Sequence, residues 1–183
     1  MGMVDTKRDR GGWLAAVAPL WPLAMARILY GVLWWQQSRW KVPSDDFGRT
    51  SGGGLWYWVH QEIQYPTVQA YRALLTDVMI PHWTLFGYLT LATETFIAIT
   101  LILGLFTRLG ALVAVGMAAN ITVGILNVPH EWGWSYVMLL MLGALFLLTG
   151  AGRVLGVDAW LGPWLDRRAA AGSRMAAALR WLT

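Results

Sequence analysis

The chain has 183 residues, of which 57% are hydrophobic and only 13% are charged. Soluble domains carry about 25% charged residues, so this composition indicates a membrane protein. The chain contains no cysteine, which excludes thiolate iron–sulfur clusters, covalently attached haem and disulfides. The net charge of +4 comes mostly from the two ends of the chain and accompanies no nucleic-acid-binding motif, so we expect no nucleic acid partner.

Four apolar segments have about the 20 residues that a transmembrane helix needs. They comprise residues 13–36, 83–106, 109–128 and 134–150. The connections after the second and third segments are too short for anything but antiparallel neighbours. We therefore predict an all-α membrane protein with four antiparallel transmembrane helices. This domain, residues 13–162, lies between a cytoplasmic N-terminal segment, residues 1–12, and a cytoplasmic tail, residues 163–183.

The first connection, residues 41–82, is much longer than the other two. Within it, Val68, Tyr71, Leu75 and Val78 recur at helical spacing. We expect this long extracytoplasmic loop to carry a short amphipathic helix on the membrane surface. The tail is basic and rich in alanine, which fits either an amphipathic stretch on anionic lipid or partial disorder.

Basic residues indicate the direction of the spans. Three precede the first segment, Arg108 lies between the second and third, and five arginines follow the fourth. With an even number of spans these residues share one side, which the positive-inside rule makes the cytoplasm. We therefore predict a multi-pass protein in the lipid bilayer of a prokaryotic cytoplasmic (inner) membrane, with both termini in the cytoplasm.

Arg27 lies within the first apolar segment. An arginine at the centre of a membrane helix costs about 2.5–3.5 kcal/mol, so it should face the bundle interior and find a partner. Glu94 is the one acidic residue within the four segments, and it lies at a matching depth of about 18–20 Å, as does Asn120. We predict a buried polar cluster of Arg27, Glu94 and Asn120. Such a cluster either fixes helix register or binds the polar head of a ligand or relays protons.

Three motifs in order resemble the DoxX-like family, and within it the DoxD type, over residues 20–162. The family's opening signature is matched, with serine where glycine is usual, by Arg27, Gly31, Trp34, Ser38 and Lys41. The second apolar segment is similar to the family's glutamate helix through Glu94. The stretch "GAGRVLGVDAWL", residues 150–161, is similar to its closing Gly-Arg-to-Asp signature.

The resemblance implies a four-helix membrane protein that is often associated with redox chemistry. For the DoxD type it implies oxidation of thiosulfate, with electrons passed to a membrane quinone, in company with a second subunit. We therefore predict an integral membrane subunit of a quinone-linked oxidoreductase and, more narrowly, of thiosulfate dehydrogenase (quinone). A quinone needs an apolar slot, aromatic faces and a few hydrogen-bonding groups, for which we expect Arg27, Trp34 and Glu94.

Two other functions fit the sequence. One is a non-catalytic accessory subunit of a larger respiratory or photosynthetic complex, and the other is a small transporter or proton path. Arg39, Lys41 and Arg72 are the cations available to bind a substrate oxyanion outside, although neighbouring aspartates can equally pair with them. The three histidines stand alone, so we predict no metal site.

Overall fold

The computed structural model describes residues 20–183, and all regular structure in this part of the chain is helical, as predicted. The helices are α1 (Trp21–Arg39), α2 (Gly54–Gln64), α3 (Gln69–Leu74), α4 (Trp83–Leu103), α5 (Thr107–Ile125), α6 (Gly133–Thr149), α7 (Asp158–Ala170) and α8 (Arg174–Leu179). The predicted start of the first span at residue 13 and the segment 1–12 lie outside the described residues.

Two helices, α4 with 21 residues and α5 with 19, are long and apolar enough to cross a membrane. The 17 residues of α6 are also apolar, whereas polar residues such as Arg27 and Gln37 occur in α1. Large apolar side chains remain exposed on these helices, among them Leu29 of α1, Leu85 of α4 and Leu148 of α6. A soluble protein rarely exposes so much apolar surface, whereas lipid-facing helices do.

The bundle is built from α1 packed along α4 and α5 packed along α6, with α4 also against α5. Gly31 lets α1 approach α4 closely, because a Cβ there would lie 2.9 Å from Ile102. Small residues at helix crossings are typical of membrane bundles. Tyr30 joins α1 to α6, since its hydroxyl donates to the carbonyl of Leu139 at 2.8 Å. The core therefore lies between the four long helices.

The long first connection covers one end of the bundle. The turn segment Pro43–Gly48 anchors it, because the Trp83 indole donates to the Asp46 carbonyl at 2.6 Å and buried Phe47 fills the space beside Gly87. The expected helix near residues 68–78 is present as α3 and its continuation, the π-type turn Leu75–Met79. The same connection also contains α2, which the sequence did not predict. We call residues 43–79, with the helices α2 and α3, the outer cap.

The opposite end of the bundle is covered by the residues that follow α6. Backbone hydrogen bonds join Val157 to Leu103 and Asp158 to Gly104, which fixes this segment where α4 ends. Residues 163–183, for which the sequence allowed an amphipathic or a disordered tail, lie in α7, α8 and the short turn Arg180–Leu182. The two ends of the bundle therefore carry different covers.

Candidate functional site

Arg27 lies in the part of the bundle covered by the residues after α6. Its guanidinium is fully buried and donates to the carbonyls of Ala151 at 2.8 Å, Val154 at 3.2 Å and Leu155 at 3.0 Å. The predicted contact of Arg27 with Glu94 is therefore wrong. Three backbone carbonyls, which no side-chain pattern reveals, take the place of the expected carboxylate.

Arg27 and Glu94 do not meet because they lie at different levels along the bundle. A Cβ on Gly104, at the end of α4, would lie 2.5 Å from the Arg27 Nη1 atom, so the guanidinium is level with that end. Glu94 lies ten residues earlier, about 15 Å along the helix axis. The sequence estimate counted depth from residue 13, whereas the described α1 begins at Trp21.

Glu94 instead forms an ion pair with Lys41. Lys41 Nζ lies 2.7 Å from Glu94 Oε2, and both side chains are 2% exposed. The ammonium also donates to the Gln37 carbonyl at 2.9 Å and lies 3.7 Å from the centre of the Trp40 ring. Because α1 ends at Arg39, the lysine side chain can turn back into the protein. Burial lowers the pKa of Lys41, and the Glu94 charge opposes that shift.

A second polar group lies beside this pair and joins three elements. The Tyr71 hydroxyl of α3 lies 3.3 Å from Glu62 Oε2 of α2 and 3.3 Å from Asn120 Oδ1 of α5. Gly124 makes room for the carboxylate, since a Cβ there would lie 2.5 Å from Glu62 Cδ. Burial raises the pKa of Glu62 to about 7, against the opposing hydrogen bond from Tyr71. Burial also raises the pKa of Tyr71.

Both polar groups line one cavity of about 410 Å³ between the outer cap and the bundle. We call this space the outer cavity. The rest of its wall is mostly apolar and aromatic, and includes Trp58, Leu75, Phe86, Met117 and Ile121. Drug-sized ligands occupy cavities of about this size and composition, with a few polar groups that orient them.

The outer cavity brings together two of the three residues of the predicted cluster. Glu94 and Asn120 line it, and Arg27 does not. Trp34 lines a separate groove of about 320 Å³ between α1 and α6, which we call the lateral groove. The sequence analysis missed Glu62, although Leu55, Val59 and Glu62 recur at the spacing of one helix face.

The three cations predicted to bind an oxyanion do not form one surface cluster. Lys41 is buried in its ion pair, whereas Arg39 and Arg72 are exposed. Across residues 20–183, no group of three or more histidine or acidic side chains is placed to hold a metal ion.

Comparison with known protein families identifies the family to which the chain belongs. A family model described as "TQO small subunit DoxD" matches residues 58–173. The match includes Glu62, Tyr71, Glu94 and Asn120, and it begins after α1. No curated protein and no solved structure matches the chain. Because the family match extends over more than half of the chain, this protein belongs to the membrane-associated DoxD family.

Proposed function

We propose that the chain is the membrane-spanning subunit of a quinone-linked oxidoreductase and that the outer cavity holds the quinone head. The observation that carries this proposal is the arrangement of the cavity wall. Two separate polar groups, Lys41 with Glu94 and Glu62 with Tyr71 and Asn120, lie within otherwise apolar surroundings.

A quinone head has this same division of polar and apolar surface. Its ring is apolar, and its two carbonyls accept hydrogen bonds on opposite sides. The Lys41 ammonium and the Asn120 amide N–H supply donors at the two polar groups. Reduction of a quinone also takes up two electrons and two protons. Because the pKa of Glu62 is about 7, its carboxyl group can give or accept a proton near neutral pH.

We also propose how the chain is oriented in the membrane. The helices α1, α4, α5 and α6 form the four spans, and the outer cap faces the extracytoplasmic side. The arginines of α7 and α8 then face the cytoplasm of a prokaryotic cell, as the positive-inside rule requires. The outer cavity accordingly lies in the outer leaflet, where a membrane quinone is available.

We propose thiosulfate as the electron donor and a second subunit as the partner, in line with the family description. The chain has no cysteine and no flavin or iron–sulfur motif. Electrons therefore reach the quinone directly from the donor or through the partner subunit. A quinone bound in the purified complex supports this function, and a large complex without quinone supports an accessory subunit.

The test is binding of a quinone analogue to the purified protein, alone and with its copurifying partner. Asn120→Leu removes one polar group from the cavity wall, and we expect it to weaken binding about tenfold, as the loss of one buried hydrogen bond does. The control Trp160→Leu alters a side chain that is 81% exposed near the other end of the bundle and should leave binding unchanged. No binding to the wild-type protein in either form would refute the proposal.

A further inference from the structure

The lateral groove adjoins the outer cavity. Resting on the proposed function, we infer that the quinone is a long-tailed membrane lipid and that its tail leaves the outer cavity through the lateral groove between α1 and α6. The groove is thus a second binding subsite, specific for an apolar chain.

The two spaces are adjacent and share part of their walls. Gln37, Trp40 and Tyr136 line both the outer cavity and the lateral groove. A ligand with its head beside Lys41 and Glu94 therefore meets the groove directly behind these three side chains.

The groove is closed towards the middle of the bundle. There Tyr30 bridges α1 and α6, because its hydroxyl donates to the Leu139 carbonyl at 2.8 Å and its ring centre lies 5.5 Å from that of Phe146. Tyr30 is only 1% exposed. One turn further along α1, Leu33 is 49% exposed and lines the groove. The space therefore opens sideways, towards lipid.

The chemistry of the groove fits a hydrocarbon chain. Leu33, Trp34 and Leu139 present apolar surface beside the polar side chains of Gln36, Gln37 and Ser135. Burial of apolar surface drives such a chain into place. Leu33 precedes the end of α1 by six residues, about 9 Å along the axis. This distance lies within one leaflet of a hydrocarbon core about 30 Å thick.

The outer cap gives the second reason for a lateral path. Leu55 and Val59 of α2, Leu74 of α3 and Leu75 of the π-type turn form the wall of the cavity on its extracytoplasmic side. A hydrophobic quinone is dissolved in the bilayer, not in water, so it reaches the cavity from the side. The groove between α1 and α6 supplies that path.

The experiment compares two probes, duroquinone, which has no tail, and a benzoquinone with a decyl tail. Leu33→Trp fills the groove without touching the outer cavity. It should weaken binding of the decyl quinone about tenfold, the loss expected when two methylene groups lose their contacts. Binding of duroquinone should stay the same. Leu29→Trp is the matched control, because Leu29 lies one turn away on α1, is 61% exposed and does not line the groove.

Each outcome decides a separate point. Equal affinity of wild type and Leu33→Trp for the decyl quinone would overturn the tail path while leaving the head site intact. Equal weakening of both probes would overturn it too, because the substitution would then act on the head site. If the wild-type protein binds neither probe, the proposed function itself fails. A melting temperature near that of wild type shows that Leu33→Trp has folded.

Discussion

Among residues 20–183, four of the buried charged side chains are stabilised in three different ways. Lys41 and Glu94 neutralise each other, Arg27 is held by backbone carbonyls, and Glu62 relies on the Tyr71 hydroxyl. Each arrangement responds differently when one group is removed, because an unpaired charge costs far more in the interior than at the surface.

Removal of the Glu94 charge should destabilise the protein strongly. Glu94→Gln leaves the Lys41 ammonium buried without its counter-charge, a change that costs about 3–5 kcal/mol. The double variant Lys41→Met with Glu94→Gln should recover part of this loss, which the free energy of unfolding in detergent would show.

The control for this double-mutant cycle is the pair Arg27 and Glu94, which the sequence predicted to be in contact. Arg27→Met combined with Glu94→Gln should be additive to within about 0.5 kcal/mol, because the two side chains do not meet. Additive losses for Lys41 and Glu94 instead would show that these two charges do not interact.

The raised pKa of Glu62 predicts a stability that depends on pH. Burial raises this pKa from 4.5 to about 7, so between these pH values the folded protein holds a proton that the unfolded chain has released. Stability therefore falls as the pH rises through this window. Glu62→Gln should be more stable than wild type by up to about 3 kcal/mol above pH 7, and nearly equal to it near pH 4.5.

The comparison variant for Glu62 is Tyr71→Phe. The hydrogen bond from Tyr71 lowers the pKa of Glu62, so its loss should move the titration midpoint of the carboxyl group to higher pH. Infrared titration of the carboxyl stretch measures this midpoint directly. Wild type and Glu62→Gln with parallel stability curves across the window would contradict the assignment.

Sequence reasoning identified Arg27 and Glu94 as buried charges and did not identify their partners. Depth arguments depend on where a helix begins, and the described α1 begins later than the apolar segment does. Lys41 lies beyond the end of α1, so its contact with Glu94 depends on how the chain turns there. The carbonyls that hold Arg27 are backbone groups. Every residue type has such a group, so the amino-acid sequence does not indicate which of them bind Arg27.

At the scale of the elements, polar contacts fix the junctions between helices. Asp158 accepts hydrogen bonds from the backbone N–H groups of Phe106 at 2.9 Å and Thr107 at 2.8 Å. It thus satisfies orphan donors where α5 begins, although it belongs to α7. Arg27 similarly joins α1 to the turn that follows α6. These two contacts hold the residues that follow α6 on the bundle.

Loss of the Arg27 contact should loosen that junction. Arg27→Met removes the guanidinium from three carbonyls, one of them buried and two part-buried, and we expect a loss of about 3 kcal/mol in the free energy of unfolding. Arg27→Lys should recover only part of it, because an ammonium lacks the planar fork of donors. Arg39→Met is the control, since Arg39 is exposed, and its effect should be small. Equal stability of Arg27→Met and wild type would contradict the role of this junction.

The long apolar helices were easier to predict than the outer cap. Predicted segments 83–106, 109–128 and 134–150 agree with α4, α5 and α6 to within three residues at each boundary. In these helices hydrophobicity alone gives the answer. The 11 residues of α2 follow a glycine-rich turn and are too few for a transmembrane segment. The face of α2 that carries Glu62 can be recognised as a cavity wall only when the helices packed against it are known.

At the scale of the whole molecule, the proposed orientation places the outer cap and the tail on opposite sides of the membrane. The chain has no cysteine, so a single introduced cysteine reports its own side. Thr50→Cys should react with an impermeant thiol reagent in intact cells, and Ala171→Cys should react only after the cells are opened. Both positions are exposed in the structure. Labelling of both in intact cells would contradict the four-span topology.

The two polar contacts of α1 have a consequence for how the protein is assembled. Arg27 attaches the helix near one end of the bundle, and Lys41, just beyond the end of α1, attaches it on the side of the outer cap. Together they specify the direction and register of α1 without help from the connecting loop. A chain cut in the exposed stretch 50–52 should therefore reassemble from two coexpressed fragments. Exchange of Lys41 for methionine in the shorter fragment should reduce the yield of the complex.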